Sequence, residues 1–169
     1  MREPVSAWIG LGANLGDARQ QVWQALQALG QLPHTRCVAH SSLYRSAPHE
    51  AHGPDFINAV AQVDTRLCAP DLLAQLQRLE QAAGRERPYV NAPRTLDLDL
   101  LRYGDARMHS RHLILPHPRL AERAFVLWPW QEIAPGAVDA TRLAQLLEVQ
   151  GIERLPDTAP WRARPSGSH

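Results

Sequence analysis

The chain has 169 residues, 44% of them hydrophobic and 21% charged, with a formal net charge of +1. That length buries a substantial core in one domain without disulfides or a structural metal, and the near-neutral balance provides no global field for nucleic acid or a membrane surface. All 18 basic residues are Arg, which excludes a P-loop lysine, a protein-kinase strand lysine and a Schiff-base lysine and leaves arginine forks as the grip on any phosphate.

In chain order, the apolar run from Val5 to Leu11 predicts a first strand. It leads through Gly10-Leu11-Gly12-Ala13-Asn14-Leu15-Gly16 into a helix that starts at Asp17. The third glycine comes one residue too late for G-x-G-x-x-G, and a Walker loop would need Lys, so these glycines are read as a close turn. Val22, Ala25, Leu26 and Leu29 follow helical spacing up to Gly30. Residues 35 to 45 predict a second strand, Ser46 to Asp55 a loop, and Phe56 to Thr65 a third strand with Phe56 and Asn58 on one face. The His49-x-x-His52 pair in that loop has no third ligand at metal spacing.

Ala69-Pro70-Asp71 opens a second helix, with Leu72, Leu73, Leu76, Leu79 and Ala83 as its apolar stripe and Gly84 at its end. Gln77 and Glu80 form a polar patch in its C-terminal half, where an acid opposes the helix dipole. A charged loop, Arg85 to Ala92, follows. After a strand considered below come a hairpin at Tyr103-Gly104-Asp105, a short strand near Leu113 to Leu115, and Trp128-Pro129-Trp130, read as a breaker packed in the core. Thr141 is expected to cap a last helix running to Gly151. Cys37 and Cys68 stand too far apart for a Cys-x-x-Cys motif and are expected to be buried free thiols. No basic-then-apolar leader and no membrane-length apolar stretch is seen, so a cytoplasmic protein is expected. Residues 1–157 are taken as one domain and 158–169 as a mobile tail. The element order, without regular βαβ repetition, predicts an α+β fold with a largely antiparallel sheet.

The chain is organised around Pro93-Arg94-Thr95-Leu96-Asp97-Leu98-Asp99-Leu100-Leu101. In an extended strand Asp97 and Asp99 share one face and the leucines the other, with the two Cα atoms roughly 6.6 Å apart. Two carboxylates that close call for a cation, either Arg94, Arg85 and Arg87 or divalent magnesium with substrate phosphates. An Asp-x-Asp alone is more often a solvated strand face with surface ion pairs than a metal site. Residues 78 to 123 hold nine of the basic residues against six acids, a local excess of three positive charges around the acidic strand.

Taken with Gly10-Leu11-Gly12-Ala13-Asn14, Phe56 to Asn58, Gly84-Arg85, Pro116-His117 and Arg123-Ala124-Phe125-Val126-Leu127-Trp128-Pro129, this stretch resembles the 6-hydroxymethyl-7,8-dihydropterin pyrophosphokinase family. The resemblance implies a ferredoxin-like, three-layer αβα sandwich. It also implies transfer of the terminal diphosphate of ATP to the pterin hydroxymethyl group, releasing AMP. Two Mg2+ ions held by Asp97 and Asp99 are implied, with Arg85 and Arg94 as catalytic arginines. Gln77, Glu80, Arg87, Arg94, His117 and Arg123 would line the nucleotide site. Phe56 and Phe125 would sandwich the pterin, Asn58 would read its edge, and Ser46 and Ala47 would add backbone contacts. A monomer with no nucleic-acid partner is expected. Asn91 stands where many members of the family have Trp, and Pro118 where a Tyr is common, so closure of that loop over the pterin uses either Tyr89 or no aromatic at all. Two rivals share these features: a magnesium-dependent nucleotidyltransferase that releases pyrophosphate, and a non-catalytic α+β nucleic-acid module. An aromatic content of 6% with no stacking motif speaks against the second.

Overall fold

A computed structural model describes residues 2–47, 53–84 and 96–156. The elements run β1 (Val5–Ala13), α1 (Ala18–Leu29), β2 (Thr35–His40), β3 (Tyr44–Ser46), β4 (Phe56–Thr65), α2 (Ala69–Ala83) and β5 (Asp97–Tyr103). They continue with β6 (Met108–His109), β7 (Ile114–Leu115), α3 (Ala124–Ile133), α4 (Ala140–Val149) and β8 (Ile152–Arg154). The main sheet has the order β5-β1-β4-β3-β8, with β2 also on β4, and β6 and β7 form a separate hairpin. Every strand pairing among the described residues is antiparallel. With α1 and α2 on one face and α3 and α4 on the other, this is the expected three-layer α+β sandwich.

The period of two on the strands sorts the core into two halves. Ile9, Leu11, Ala61, Val63, Leu98 and Leu100 pack with Val22, Leu26 and Leu29 of α1 and Leu72 and Leu76 of α2. On the reverse face Val60 and Leu101 meet Val126 and Trp130 of α3, whose Ala124 and Leu127 rest on Leu143 and Leu146 of α4. Helix α1 starts as the sequence indicates, since the Asp17 carboxylate accepts from the Gln20 amide at 3.1 Å. Gly16 precedes it with φ of 61°, a left-handed turn that favours glycine.

The structure departs from the sequence-based expectations in five places. The strand anticipated over residues 35 to 45 is broken into β2 and β3, because Ser41, Ser42 and Leu43 stand opposite only Ala59 and Val60. The Ser41 hydroxyl accepts from the Val60 amide at 3.0 Å, in place of a ladder carbonyl, and Ser46 belongs to β3 rather than to a loop. Trp128-Pro129-Trp130 does not end an element but lies inside α3. Proline there removes one i to i−4 bond, and burial of Val126, Leu127 and Trp130 on both sides of it keeps the helix intact. Asp139, not Thr141, caps α4, its carboxylate accepting from the amides of Thr141 and Arg142 at 3.0 and 3.1 Å, and the helix ends at Val149. Cys37 and Cys68 are half-buried, not buried. Strand β8 was not anticipated at all. No helix among the described residues is long and apolar enough to cross a membrane.

Candidate active site

Strand register builds the site. Along the reverse face, Asp97 lies opposite Gly12 and Gly12 opposite Asn58, while Asp99 lies opposite Gly10 and Gly10 opposite Val60. Two glycines therefore leave an open trough between the acidic row on β5 and the polar and aromatic row on β4. A Cβ at position 12 would sit 3.3 Å from the Asn58 Oδ1 and 3.9 Å from the Phe56 ring, so a side chain there presses on Asn58, which would have to give way.

This trough opens into a cleft of 890 Å3, within the range of small-molecule sites. Asp97, Asp99, Phe56, Asn58 and Ser46 line it from the sheet, with Ala47 just past β3, Arg123 and Phe125 at the start of α3, and His117. Both phenylalanines of the chain thus reach one cleft, and both are half-buried rather than packed away in the core. Asn58 is buried, and its amide donates to the Ser46 hydroxyl at 2.8 Å. A carboxamide held in that way presents a fixed donor and acceptor edge to a flat heterocycle. The Arg123 guanidinium lies 5.5 Å from the centroid of the Phe125 ring and 3.9 Å from the Asp99 carboxylate. Both members of that ion pair are partly open to water, so it positions charge more than it stabilises the fold.

The edge of the sheet is finished by groups that steady the acidic strand. Glu80 accepts from the Leu98 amide at 2.8 Å. A bulge on β5, where the register shifts between Trp8 and Ile9, leaves the Leu101 carbonyl to accept from the His117 amide at 2.9 Å. His117 is thereby hung beside Asp99. Its Nδ1 accepts from the Arg119 amide at 3.2 Å, as a neutral imidazole does. Burial pushes its pKa down; the Asp99 carboxylate works the other way, and Arg123 and Arg119 add to the lowering.

Of the residues expected at the site, Ser46, Ala47, Phe56, Asn58, Asp97, Asp99, His117, Arg123 and Phe125 come together in the cleft. Gln77 and Glu80 are not among its lining residues: Gln77 is exposed on α2, and Glu80 is turned to the backbone of β5. Arg85, Arg87, Arg94, Tyr89 and Asn91 lie outside the described residues. Gly10, Gly12, Arg119, Glu122 and Gln150 also line the cleft and were not anticipated there. For the glycines the signal was their offset of two, matching that of the acids, once β1 is paired with β5. For Gln150 the sequence carried none.

The carboxylates of the cleft suit magnesium rather than a caged ion. Among the described residues no group of three His, Cys, Asp or Glu side chains could cage an ion. Two carboxylates on one strand face are what Mg2+ uses when substrate phosphates and water complete its shell. The pair fits that ion and does not fit a structural zinc site.

Residues 8–135 match the family model described as 7,8-dihydro-6-hydroxymethylpterin-pyrophosphokinase (HPPK). A 2-amino-4-hydroxy-6-hydroxymethyldihydropteridine pyrophosphokinase of Pseudomonas aeruginosa is 44% identical over 155 residues, covering 88% of this chain and 96% of that one. The protein of the same description from Haemophilus influenzae is 42% identical over 135 residues, covering 79% and 84%. Among solved structures, a Plasmodium falciparum HPPK-DHPS triple mutant with STZ-DHP aligns with a TM-score of 0.68 at 12% identity. That alignment covers 88% of this chain, which spans only 44% of the larger one, and at that identity it speaks for the fold.

Proposed function

Because the chain belongs to the 7,8-dihydro-6-hydroxymethylpterin-pyrophosphokinase family, we propose that its cleft is where the diphosphate of ATP passes as a unit to the hydroxymethyl group of 6-hydroxymethyl-7,8-dihydropterin. The products are AMP and the pterin diphosphate, in a step of folate biosynthesis. The observation that carries this reading is the pairing of Asp97 and Asp99, across a glycine floor, with Asn58 and two phenylalanines. One end of the cleft suits a metal-bound polyphosphate and the other a flat, hydrogen-bonding ring.

Phe56 and Phe125 hold the pterin between them, and Asn58, fixed by Ser46, reads its edge, with Ala47 beside them. This holds the ring so that its hydroxymethyl oxygen faces the β-phosphorus. That oxygen forms the new bond as the bond from the β-phosphorus to the oxygen bridging the α-phosphate breaks, and the hydroxyl proton is lost to solvent. Asp97 and Asp99 would hold two Mg2+ ions, which when bound supply the charge that neutralises the triphosphate and acidifies the attacking hydroxyl. Arg123 stands next to this acidic row, placed to meet phosphate oxygens. His117, kept neutral, borders the nucleotide end without adding charge. On the family resemblance, Arg85 and Arg94 grip the phosphates as negative charge moves to departing AMP, and Arg87, Gln77 and Glu80 attend the nucleotide. The enzyme is read here as a monomer and as cytoplasmic.

Incubation with ATP, magnesium and the reduced hydroxymethylpterin, followed by chromatography, tests the reading. AMP and a diphosphorylated pterin in equal amounts are expected, and chelation of the metal stops their formation. Release of inorganic pyrophosphate or ADP in place of AMP sinks it.

A further inference from the structure

Arg123 occupies the N-cap of α3, a position usually filled by Ser, Thr, Asp or Asn, whose oxygen meets the first free amides of the helix. A guanidinium only donates, and no side-chain cap from this residue is present. The missing acceptor comes from elsewhere in the fold. Gln150 Oε1 accepts from the Ala124 amide at 2.8 Å, and Gln150 Nε2 donates to the Glu122 carbonyl at 2.9 Å. The two arms of one carboxamide thus hold the peptide groups on either side of Arg123. Reversing that carboxamide would set oxygen against carbonyl and N–H against N–H, so both partners determine its orientation.

Gln150 is itself well anchored. Its amide donates to the Leu146 carbonyl at 2.8 Å, and Leu143 and Leu146 of α4 pack on Ala124 and Leu127 of α3. Arg142, also on α4, donates to the Ala121 carbonyl at 3.1 Å, a third tie on the same short segment. Helix α4 therefore sets the conformation of residues 121 to 124, and with it the direction in which Arg123 leaves the backbone toward Phe125 and Asp99.

We propose that Gln150 is a positioning residue for Arg123, bracketing its two peptide groups so that the guanidinium meets the phosphates of the nucleotide. This rests on the functional reading above. Gln150→Ala is expected to raise the KM for ATP about tenfold, the worth of a lost helix cap, and to speed hydrogen exchange at the Ala124 amide. In an Arg123→Ala background the same substitution should leave the KM where Arg123→Ala alone puts it. Gln150→Glu, which keeps the acceptor and loses the donor, should give a smaller rise of the same sign and serves if the alanine variant fails to fold.

A purely structural role would lower the melting temperature while the KM for ATP stays at the wild-type value. That outcome overturns the proposal, as do independent, multiplying effects of the two substitutions. If the wild-type enzyme makes no AMP, the functional reading falls instead, and exchange at Ala124 alone then decides whether Gln150 holds this segment. Protection unchanged in Gln150→Ala rejects the clamp.

Discussion

On one face of β5, β1 and β4, the side chains of Leu98, Leu100, Ile9, Leu11, Ala61 and Val63 are closed under α1 and α2. On the other, the same strands present Asp97, Asp99, Gly10, Gly12, Phe56 and Asn58, and α3 covers only the stretch around Leu101 and Val60. The first face excludes water and gains from apolar burial. The second leaves part of its length without a lid of side chains, and polar groups and glycine there give up packing in return for a place to bind. Because β5 alternates between the two, each step along it changes which property a substitution affects.

The sharpest way to break this contrast is at adjacent residues. Asp97→Ala and Asp99→Ala are each expected to cut turnover by a factor on the order of a thousand, the scale of losing a preorganised electrostatic contact in the transition state. Asp97 is exposed and Asp99 half-buried, so melting by circular dichroism should barely move. Magnesium-dependent AMP formation at the wild-type rate by either variant would contradict the assignment. One residue on, Leu100→Ala should do the reverse, costing about 2 to 5 kcal/mol in chemical unfolding through lost burial and a residual cavity. Its turnover per folded molecule should stay close to that of the parent.

A subtler test lies on the glycine floor. Gly12→Ala places a methyl group 3.3 Å from Asn58 Oδ1, and Asn58 is tied to Ser46 and cannot simply swing away. The KM for the pterin should rise roughly three- to tenfold as the reading edge is displaced, with little change in the KM for ATP. Equal effects on both substrates would mean that the floor does not separate a pterin end from a nucleotide end.

The smallest effect concerns protons. His117 is held below the ordinary imidazole pKa of about 6.5 chiefly by burial, so in acid the unfolded chain binds a proton more readily than the folded one. Its contribution to stability is complete above about pH 6.5 and is lost as the pH falls through and below that value. Melting temperatures between pH 5 and pH 7.5 should therefore slope upward with pH, and His117→Asn should flatten that slope. An unchanged slope would assign it to other groups.

How much of this was readable in advance follows from where each signal lies. Strands β4 and β5 and helices α1 and α2 declare themselves through regular apolar spacing, because one face of each is buried against a single neighbour. Helix α3 hides its period: it is apolar nearly all round, carries Pro129 and starts at an arginine, so none of the usual local cues applies. The break between β2 and β3 depends on Glu132, whose carboxylate accepts from the Ser42 amide and from the Tyr44 hydroxyl, partners about ninety residues away. Three-residue strands such as β8 have no period to detect.

At the site, spacing alone brought out Asp97 and Asp99. Phe56 and Phe125 stood out only through family resemblance, since a phenylalanine is most often core. Gly10 and Gly12 were set aside for failing a nucleotide-loop pattern, and their use emerges only when three strands are laid side by side.

Strand β8 pairs Ile152 with Ser46 and Arg154 with Tyr44, and the Leu155 amide donates to the Leu43 carbonyl. Position 45 is thereby bridged to position 153, 108 residues later. During synthesis, the layer under α1 and α2 stays incomplete after β5 has emerged, because Leu113, Leu115 and Leu155 also belong to it, and the outer wall of the pocket waits for residues near 150 to leave the ribosome. A nascent chain stalled just short of that point would lack both Leu155 of the apolar layer and the strand that supports the pocket wall.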